Sequence, residues 1–260
     1  MKVVKMVLPK MANNILFFAV IVGSIASHQA QAAIALDRTR IIFDGSQNSV
    51  SLNISNHNKQ LPYLAQAWLE NEAGEKLQGP LVVLPPLQRV EPGKPSQIKI
   101  QALPAARQLP QDKESLFYFN LREIPPKSDK PNTLQIALQT RIKLFYRPAA
   151  IVPTRGDMAT PWQDKTTMKR VGDNYQVTNP TPYYLTIVDA AVSKGLSGAK
   201  NFEPLMIPPM SSATLNVSAA SLGKKPVLTY INDYGGRPQL TFSCETNSCN
   251  LIPEKNKQGE

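Results

Sequence analysis

The alternation of apolar and polar residues is strongest between Leu134 and Tyr146. Apolar side chains occupy every second position there except Thr140, which is typical of a half-buried β-strand. A strand over this segment would reach about 43 Å at roughly 3.3 Å per residue, whereas typical strands have about 5–6 residues. We therefore expect part of its apolar row either to pack on another domain or to receive another chain.

Shorter segments with the same period-two pattern follow one another along the chain, separated by turns and by many of its 23 prolines. No stretch has a convincing helical period. The strands predicted in the first part are Leu36–Phe43, Val50–Ile54, Tyr63–Glu70, Val82–Leu84, Ser96–Gln101, Ser115–Ile124 and Leu134–Tyr146. Those predicted in the second part are Met168–Val171, Asn174–Asn179, Tyr183–Val192, Leu205–Ile207, Ser212–Val217, Pro226–Ile231 and Gln239–Cys244. Their number and spacing predict an all-β fold of two immunoglobulin-like sandwiches.

Residues 1–32 have the features of a secretory signal peptide. Three lysines precede an apolar run, Ile15 to Ala26, that is short for a membrane anchor, and Ala30-Gln31-Ala32 offers small residues to a signal peptidase. An uncleaved anchor is the alternative, and Met11 is a second candidate initiator. No later stretch is apolar enough to span a bilayer, so we expect an exported protein.

The basic composition does not alter the prediction of an exported all-β protein. The net charge is +10, and it falls to +7 when the three lysines of the first 32 residues are removed. Basic proteins often bind nucleic acid or anionic surfaces. Here, however, the lysines and arginines are scattered and form no run, which favours solvated surface charge and no nucleic-acid partner.

The sequence contains no G-x-S-x-G elbow, no H-E-x-x-H, no Walker loop and no G-x-G-x-x-G motif. His57 is the only histidine after residue 32, so an exported enzyme built on sandwich domains is disfavoured, and we expect no cofactor and no metal. Cys244 and Cys249 are the only cysteines. An even pair in an exported protein predicts a disulfide, here one that staples a hairpin.

Five segments together resemble the periplasmic chaperones of chaperone–usher pili: Leu36–Arg40, Ser115–Pro126, Leu134–Pro148, Asn179–Tyr184 and Tyr230–Pro238. The resemblance covers nearly the whole chain after the signal peptide. It implies two immunoglobulin-like domains in a boomerang arrangement, here residues 33–150 and 151–253, with a flexible tail over 254–260. It also implies a periplasmic, ATP-independent chaperone without enzymatic activity. Such a chaperone folds and caps pilin subunits and the tip adhesin and delivers them to an outer-membrane usher.

In these chaperones a long strand of the first domain completes the unfinished sandwich of a pilin, a mode called donor-strand complementation. The resemblance assigns the pilin contacts to Leu134, Ile136 and Leu138, and it implies self-association through this strand when no pilin is bound. It assigns the anchor for the terminal carboxylate of the pilin to Arg40 and Lys143, although nothing in their spacing brings these two residues together.

The resemblance further predicts an interdomain salt-bridge set of Glu114, Arg147 and Asp233. The alternative function is a structural or adhesive immunoglobulin-like protein of a surface organelle. Such a protein would lack the pair of Arg40 and Lys143.

Overall fold

The structure, a computed structural model, describes residues 32–154, 156 and 160–253. The predicted signal peptide and C-terminal tail therefore lie outside the described residues, apart from Ala32. The strands are β1 (Ile34–Leu36), β2 (Arg40–Asp44), β3 (Ser49–Asn56), β4 (Tyr63–Glu70), β5 (Leu81–Leu84), β6 (Leu87–Val90), β7 (Pro95–Ala102), β8 (Ser115–Ile124), β9 (Gln139–Arg147), β10 (Thr167–Val171), β11 (Asn174–Asn179), β12 (Leu185–Ala191), β13 (Leu205–Ile207), β14 (Ser211–Ser218), β15 (Val227–Tyr230), β16 (Gln239–Glu245) and β17 (Ser248–Ile252). Short 3₁₀ helices span Pro104–Gln108, Ala149–Ile151 and Trp162–Lys165, and one short α-helix, α1, spans Ala219–Leu222. No helix in the described ranges is both long and apolar enough to cross a membrane.

The first domain is a sandwich of two sheets, in agreement with the predicted fold class. One sheet has the strand order β1-β3-β7-β5, and the other has the order β2-β9-β8-β4-β6. Inward-facing apolar side chains of both sheets form a single core, with Phe43, Phe119 and Leu144 among its fully buried members. The period-two pattern predicted this arrangement, because alternate residues of a strand face opposite sides of the sheet.

The predicted strand Leu36–Phe43 is wrong as one element, because the chain changes sheets within it. β1 pairs with β3 in one sheet, and β2 pairs with β9 in the other. Between them the Asp37 carboxylate accepts hydrogen bonds from the backbone amide and the side chain of Asn53, at 3.2 and 3.1 Å. These bonds end the pairing of β1 and allow the chain to cross over. The sequence pattern also did not predict the short strand β6.

The second domain has its own core and its own sheet. Its strands form one continuously hydrogen-bonded sheet with the order β13-β12-β15-β16-β17-β10-β11-β14. Side chains from distant parts of this order, such as Ile187, Val177 and Phe242, share one core, so the sheet closes over itself. β17 was not predicted, and it completes the last hairpin. Cys244 and Cys249 face each other across that hairpin and form the disulfide that the sequence predicted.

The predicted strand Leu134–Tyr146 is shorter in the structure, where β9 begins at Gln139. Its neighbour β8 pairs with it from Ser115 to Arg122. One more backbone hydrogen bond follows this ladder, from the amide of Glu123 to the carbonyl oxygen of Leu138, at 3.0 Å. Pro125 and Pro126 follow β8 and have no amide hydrogen to donate. Residues 134–138 therefore extend past the end of the sheet and belong to no strand.

Candidate functional site

The parallel pairing of β2 with β9 places the two predicted anchor residues side by side. Arg40 is the first residue of β2, and it is the direct partner of Lys143 in the ladder. Paired residues in neighbouring strands project to the same face of a sheet. Two cations from distant parts of the sequence therefore meet on the face of the five-stranded sheet that points away from the core.

Arg40 is buried, with 9% of its surface exposed. Its Nη1 donates a hydrogen bond to the carbonyl oxygen of Ile231 in the second domain, at 3.2 Å, and its guanidinium lies 5.9 Å from the ring centre of Phe145. Within the described residues, its Nε has no hydrogen-bond partner. Burial lowers the pKa of Arg40, against the opposing effect of the nearby carboxylates of Asp233 and Glu114. An oxyanion would supply the partner that this guanidinium lacks.

Lys143 is only partly buried, and its ammonium group makes no ion pair or hydrogen bond with any residue that the structure describes. Burial lowers the pKa of Lys143, and the neighbouring charge of Arg40 lowers it further. A positive charge at this position is thus held at some cost to the free protein. That cost would be relieved by a bound anion, and a carboxylate can contact both cations at once.

Arg147, the last residue of β9, joins the two domains through a buried ionic network. Its Nε and Nη2 donate to Oε1 of Glu114, at 2.9 and 2.7 Å, and its Nη1 donates to Oδ2 of Asp233 at 2.8 Å. The other oxygen of Glu114 accepts a hydrogen bond from the amide of Tyr184 at 2.8 Å. The structure thus brings the three residues of the predicted salt-bridge set into direct contact.

Opposing effects set the pKa values in this network. Burial alone would lower the pKa of Arg147, but the carboxylates of Glu114 and Asp233 raise it above its ordinary value. Burial raises the pKa of Glu114, and the charge of Arg147 and the amide of Tyr184 oppose that rise. Both charges are nearly withdrawn from water, so each depends on the other for compensation.

The polar face of the long strand is buried at its C-terminal end, which the alternation pattern did not reveal. Phe145 is 2% exposed and lies 5.5 Å, centre to centre, from the ring of Tyr184 in the second domain. Arg147 lies over the ring of Tyr183, at 4.6 Å from its centre. The end of β9 therefore contacts the first core with one face and the second domain with the other.

The three predicted pilin-contact residues lie at the opposite end of the same segment. Leu134, Ile136 and Leu138 are 85%, 64% and 41% exposed, although all three are large apolar side chains. Leu134 and Ile136 also line a surface groove with a volume of about 670 Å³, formed with Tyr63 and Pro126 among others. Apolar side chains in an exposed row are typical of a surface that receives another chain.

One edge of β9 is unpaired in the residues that precede Lys143. β8 covers one edge from Gln139 onwards, whereas β2 covers the other edge only from Lys143 to Arg147. No strand among the described residues pairs with that second edge between Gln139 and Ile142. An added strand there would lie in line with β2 and would end against Arg40.

A second concave surface adjoins Arg40 between the two domains. This cleft has a volume of about 430 Å³, and its lining includes Arg40, Arg147, Asp233 and Tyr234. Lys143 does not line it. The cleft therefore includes Arg40 but not Lys143, whereas the open edge leads to both cations.

Comparisons with known proteins find similar proteins for both domains. Residues 33–152 match the pili and flagellar-assembly chaperone family, PapD N-terminal domain, and residues 161–242 match the pili assembly chaperone PapD, C-terminal domain. The chain is 52% identical to the chaperone protein PapD of Escherichia coli over 87% of this chain and 92% of that protein. It is 50% identical to the probable fimbrial chaperone YfcS of Escherichia coli strain K12, over 91% of this chain and 92% of that protein.

The crystal structure of the periplasmic chaperone SfaE superposes with a TM-score of 0.63 and 32% identity, covering 80% of this chain and 98% of SfaE. Both domains and most of the chain therefore have counterparts in proteins of one family. The chain belongs to the PapD-like family of pilus-assembly chaperones.

Proposed function

We propose that this chaperone acts in the periplasm, where it binds pilin subunits by donor-strand complementation and passes them to an outer-membrane usher. The family supports a chaperone role in pilus assembly. The observation that carries the binding mode is the exposed row of Leu134, Ile136 and Leu138, which precedes an open strand edge. In this mode, backbone hydrogen bonds supply affinity and apolar side chains fill pockets of the partner.

We propose that the client strand runs in the same direction as β2. β2 is parallel to β9 and begins at Arg40. A client strand that takes the same line along the open edge and is also parallel to β9 would reach Arg40 and Lys143 with its C-terminus. A terminal carboxylate would then meet the two cations, with a two-bond contact to Arg40 and a point charge from Lys143.

The anchor would also set the register of the client. A slip by one residue turns every apolar side chain to the other face of a strand. With its end fixed at Arg40 and Lys143, the client strand can align its apolar positions with the exposed row in only one way. Backbone pairing and one fixed end would thus select the client strand without a deep binding pocket.

The remaining roles are proposed with the same function. The chaperone has no enzymatic activity and uses no cofactor, because capping a pilin requires binding and release alone. Its clients include the tip adhesin as well as the pilins, and the network of Glu114, Arg147 and Asp233 fixes the angle between the domains. Without a client, the exposed row pairs with a second copy of the chain, because an apolar edge in water favours association.

The function is tested by charging the exposed row. We expect Ile136→Asp to abolish capture of a co-expressed pilin, because an unpaired carboxylate would enter an apolar pocket at a cost of several kcal/mol. Leu196→Asp is the matched control, because Leu196 is 61% exposed, close to the 64% of Ile136, and lies in the second domain. Each tagged variant is purified from periplasm, and the recovered pilin is quantified beside a thermal melt.

Normal pilin recovery with folded Ile136→Asp would refute the donor role of this row. Recovery of a sugar-binding activity or a host receptor in place of pilins would instead support the structural or adhesive alternative.

A further inference from the structure

Glu123 is a carboxylate buried at one end of the first core. It alternates along β8 with Phe119 and Leu121, so it shares their core-facing side of the sheet. Only 5% of its surface is exposed, and its Oε2 accepts a hydrogen bond from the backbone amide of Ile34 at 2.8 Å. Among the residues that the structure describes, no lysine, arginine or histidine forms an ion pair with it. A buried carboxylate is costly unless a cation compensates its charge.

The predicted cleavage site of the signal peptide adjoins this carboxylate. Cleavage before Ala33 converts the nitrogen of Ala33 from an amide into an α-ammonium group, one residue before the amide that Glu123 binds. Bond lengths limit the distance between the nitrogens of neighbouring residues to about 3.7 Å. Ala33 is also held in place, because its carbonyl oxygen accepts a hydrogen bond from the amide of His57 at 2.7 Å. The new positive charge therefore arises within reach of Glu123.

We propose that Glu123 is the binding site for the new N-terminus, and that its carboxylate forms an ion pair with the α-ammonium group of Ala33 after the signal peptide is removed. This inference rests on the export that belongs to the proposed function. A carboxylate has two acceptor oxygens, so it can keep the amide of Ile34 and also receive the ammonium group. The precursor cannot form this pair, because the nitrogen of its residue 33 is an uncharged amide.

The ion pair would stabilise the end of the domain from which the exposed row extends. Ala33 directly precedes β1 of one sheet, and Glu123 lies on β8 of the other, so the pair would join the two sheets. The backbone amide of Glu123 also donates to the carbonyl oxygen of Leu138 at 3.0 Å. Removal of the signal peptide would thus strengthen the attachment of residues 134–138 to the sandwich.

The test is a double-mutant cycle between the N-terminus and Glu123. The N-terminus of the wild-type chaperone from periplasm is first identified by mass spectrometry, and it should be Ala33. A second form carries Ala-Ser before Ala33, which moves the charge away and restores an amide at residue 33. Both forms are made with the wild-type sequence, with Glu123→Gln and with the control Glu203→Gln, an exposed glutamate of the second domain. Glutamine keeps an acceptor for the amide of Ile34 and removes the charge.

We expect the Ala-Ser extension to lower the melting temperature by about 5–10 °C in the wild type and in Glu203→Gln, as for the loss of one partner of a buried ion pair. In Glu123→Gln the extension should lower it by less than about 2 °C, because no charge is left to pair. Equal shifts in all three sequences, or no shift in the wild type, would overturn the inference.

A second measurement requires no substitution of Glu123. An amine-selective reagent should label the α-amine of the wild type about tenfold more slowly than that of the extended form, because the ion pair keeps the amine protonated. Both forms begin with alanine, so equal labelling rates would refute the pair. An N-terminus other than Ala33 would refute it as well. None of these measurements includes a pilin, so such a failure leaves the donor-strand mode standing, whereas normal pilin recovery by Ile136→Asp refutes that mode and leaves this pair untouched.

Discussion

The anchor makes a sharp prediction for the Lys143→Met variant. We expect this variant to bind a pilin C-terminal peptide several hundredfold more weakly than the wild type. A carboxylate about 4 Å from a cation gains about 4 kcal/mol at the effective dielectric constant near a protein surface. Loss of one partner of a shielded charge pair typically costs about 2–5 kcal/mol, and each 1.4 kcal/mol is about tenfold in affinity.

The free chaperone should tolerate this change. The Lys143 ammonium has no ion-pair partner among the described residues, and burial and Arg40 both lower its pKa. The charged form is therefore disfavoured in the folded state, and this penalty is present at neutral pH. Its removal in Lys143→Met should leave the melting temperature equal to or above that of the wild type.

Arg40→Ala should differ from Lys143→Met in this respect. Arg40 donates to the carbonyl oxygen of Ile231 in the second domain, so its loss removes an interdomain contact as well as a cation. We expect a lower melting temperature together with weak peptide binding. Arg40→Lys should restore binding only in part, because lysine cannot make the two-bond contact.

The assay is a titration of peptides that end in a carboxylate or in an amide, into the wild type, Lys143→Met and the control Lys99→Met. Lys99 is an exposed lysine of β7, on the sheet that lacks the anchor. If Lys143 contacts the carboxylate, the amide peptide should lose little further affinity in Lys143→Met, and Lys99→Met should match the wild type. Equal losses for both peptides in Lys143→Met would refute the direct contact, and unchanged affinity would refute the anchor.

Three further outcomes are expected. Arg147→Met should lower the free energy of unfolding by about 3–5 kcal/mol in chemical denaturation, because Glu114 keeps a buried charge without its partner; a loss under about 1 kcal/mol would show that the network is not structural. Replacing Cys244 and Cys249 together by serine should lower the free energy of unfolding by an amount at the low end of roughly 2–4 kcal/mol, because the loop is small. Thiol labelling of the unreduced wild-type protein in denaturant should find no free cysteine. Since the pKa of Lys143 is lowered, peptide affinity should begin to fall at a pH below that expected for an ordinary lysine. This fall should be absent in Lys143→Met, and a wild-type profile in that variant would assign the titration to another group.

The sequence by itself determined most of the strands. Tyr63–Glu70 and Ser115–Ile124 were predicted with the limits that the structure shows. Alternation has a local cause, since each strand exposes successive side chains to opposite faces and one face lies on a core. The cysteine pair was equally readable, because export and an even number of cysteines predict a disulfide without knowledge of the fold.

Only the tertiary structure decided where those strands begin, end and meet. Leu36–Phe43 divides between two sheets, and β9 starts at Gln139, because pairing depends on which neighbours are within reach. Phe145 lies on the polar face of its strand, yet the second domain buries it. Arg40 and Lys143 become neighbours through a parallel ladder between residues far apart in the chain. Strand periodicity carries no information about such pairings, because they are fixed by long-range packing rather than by the local conformation of the chain.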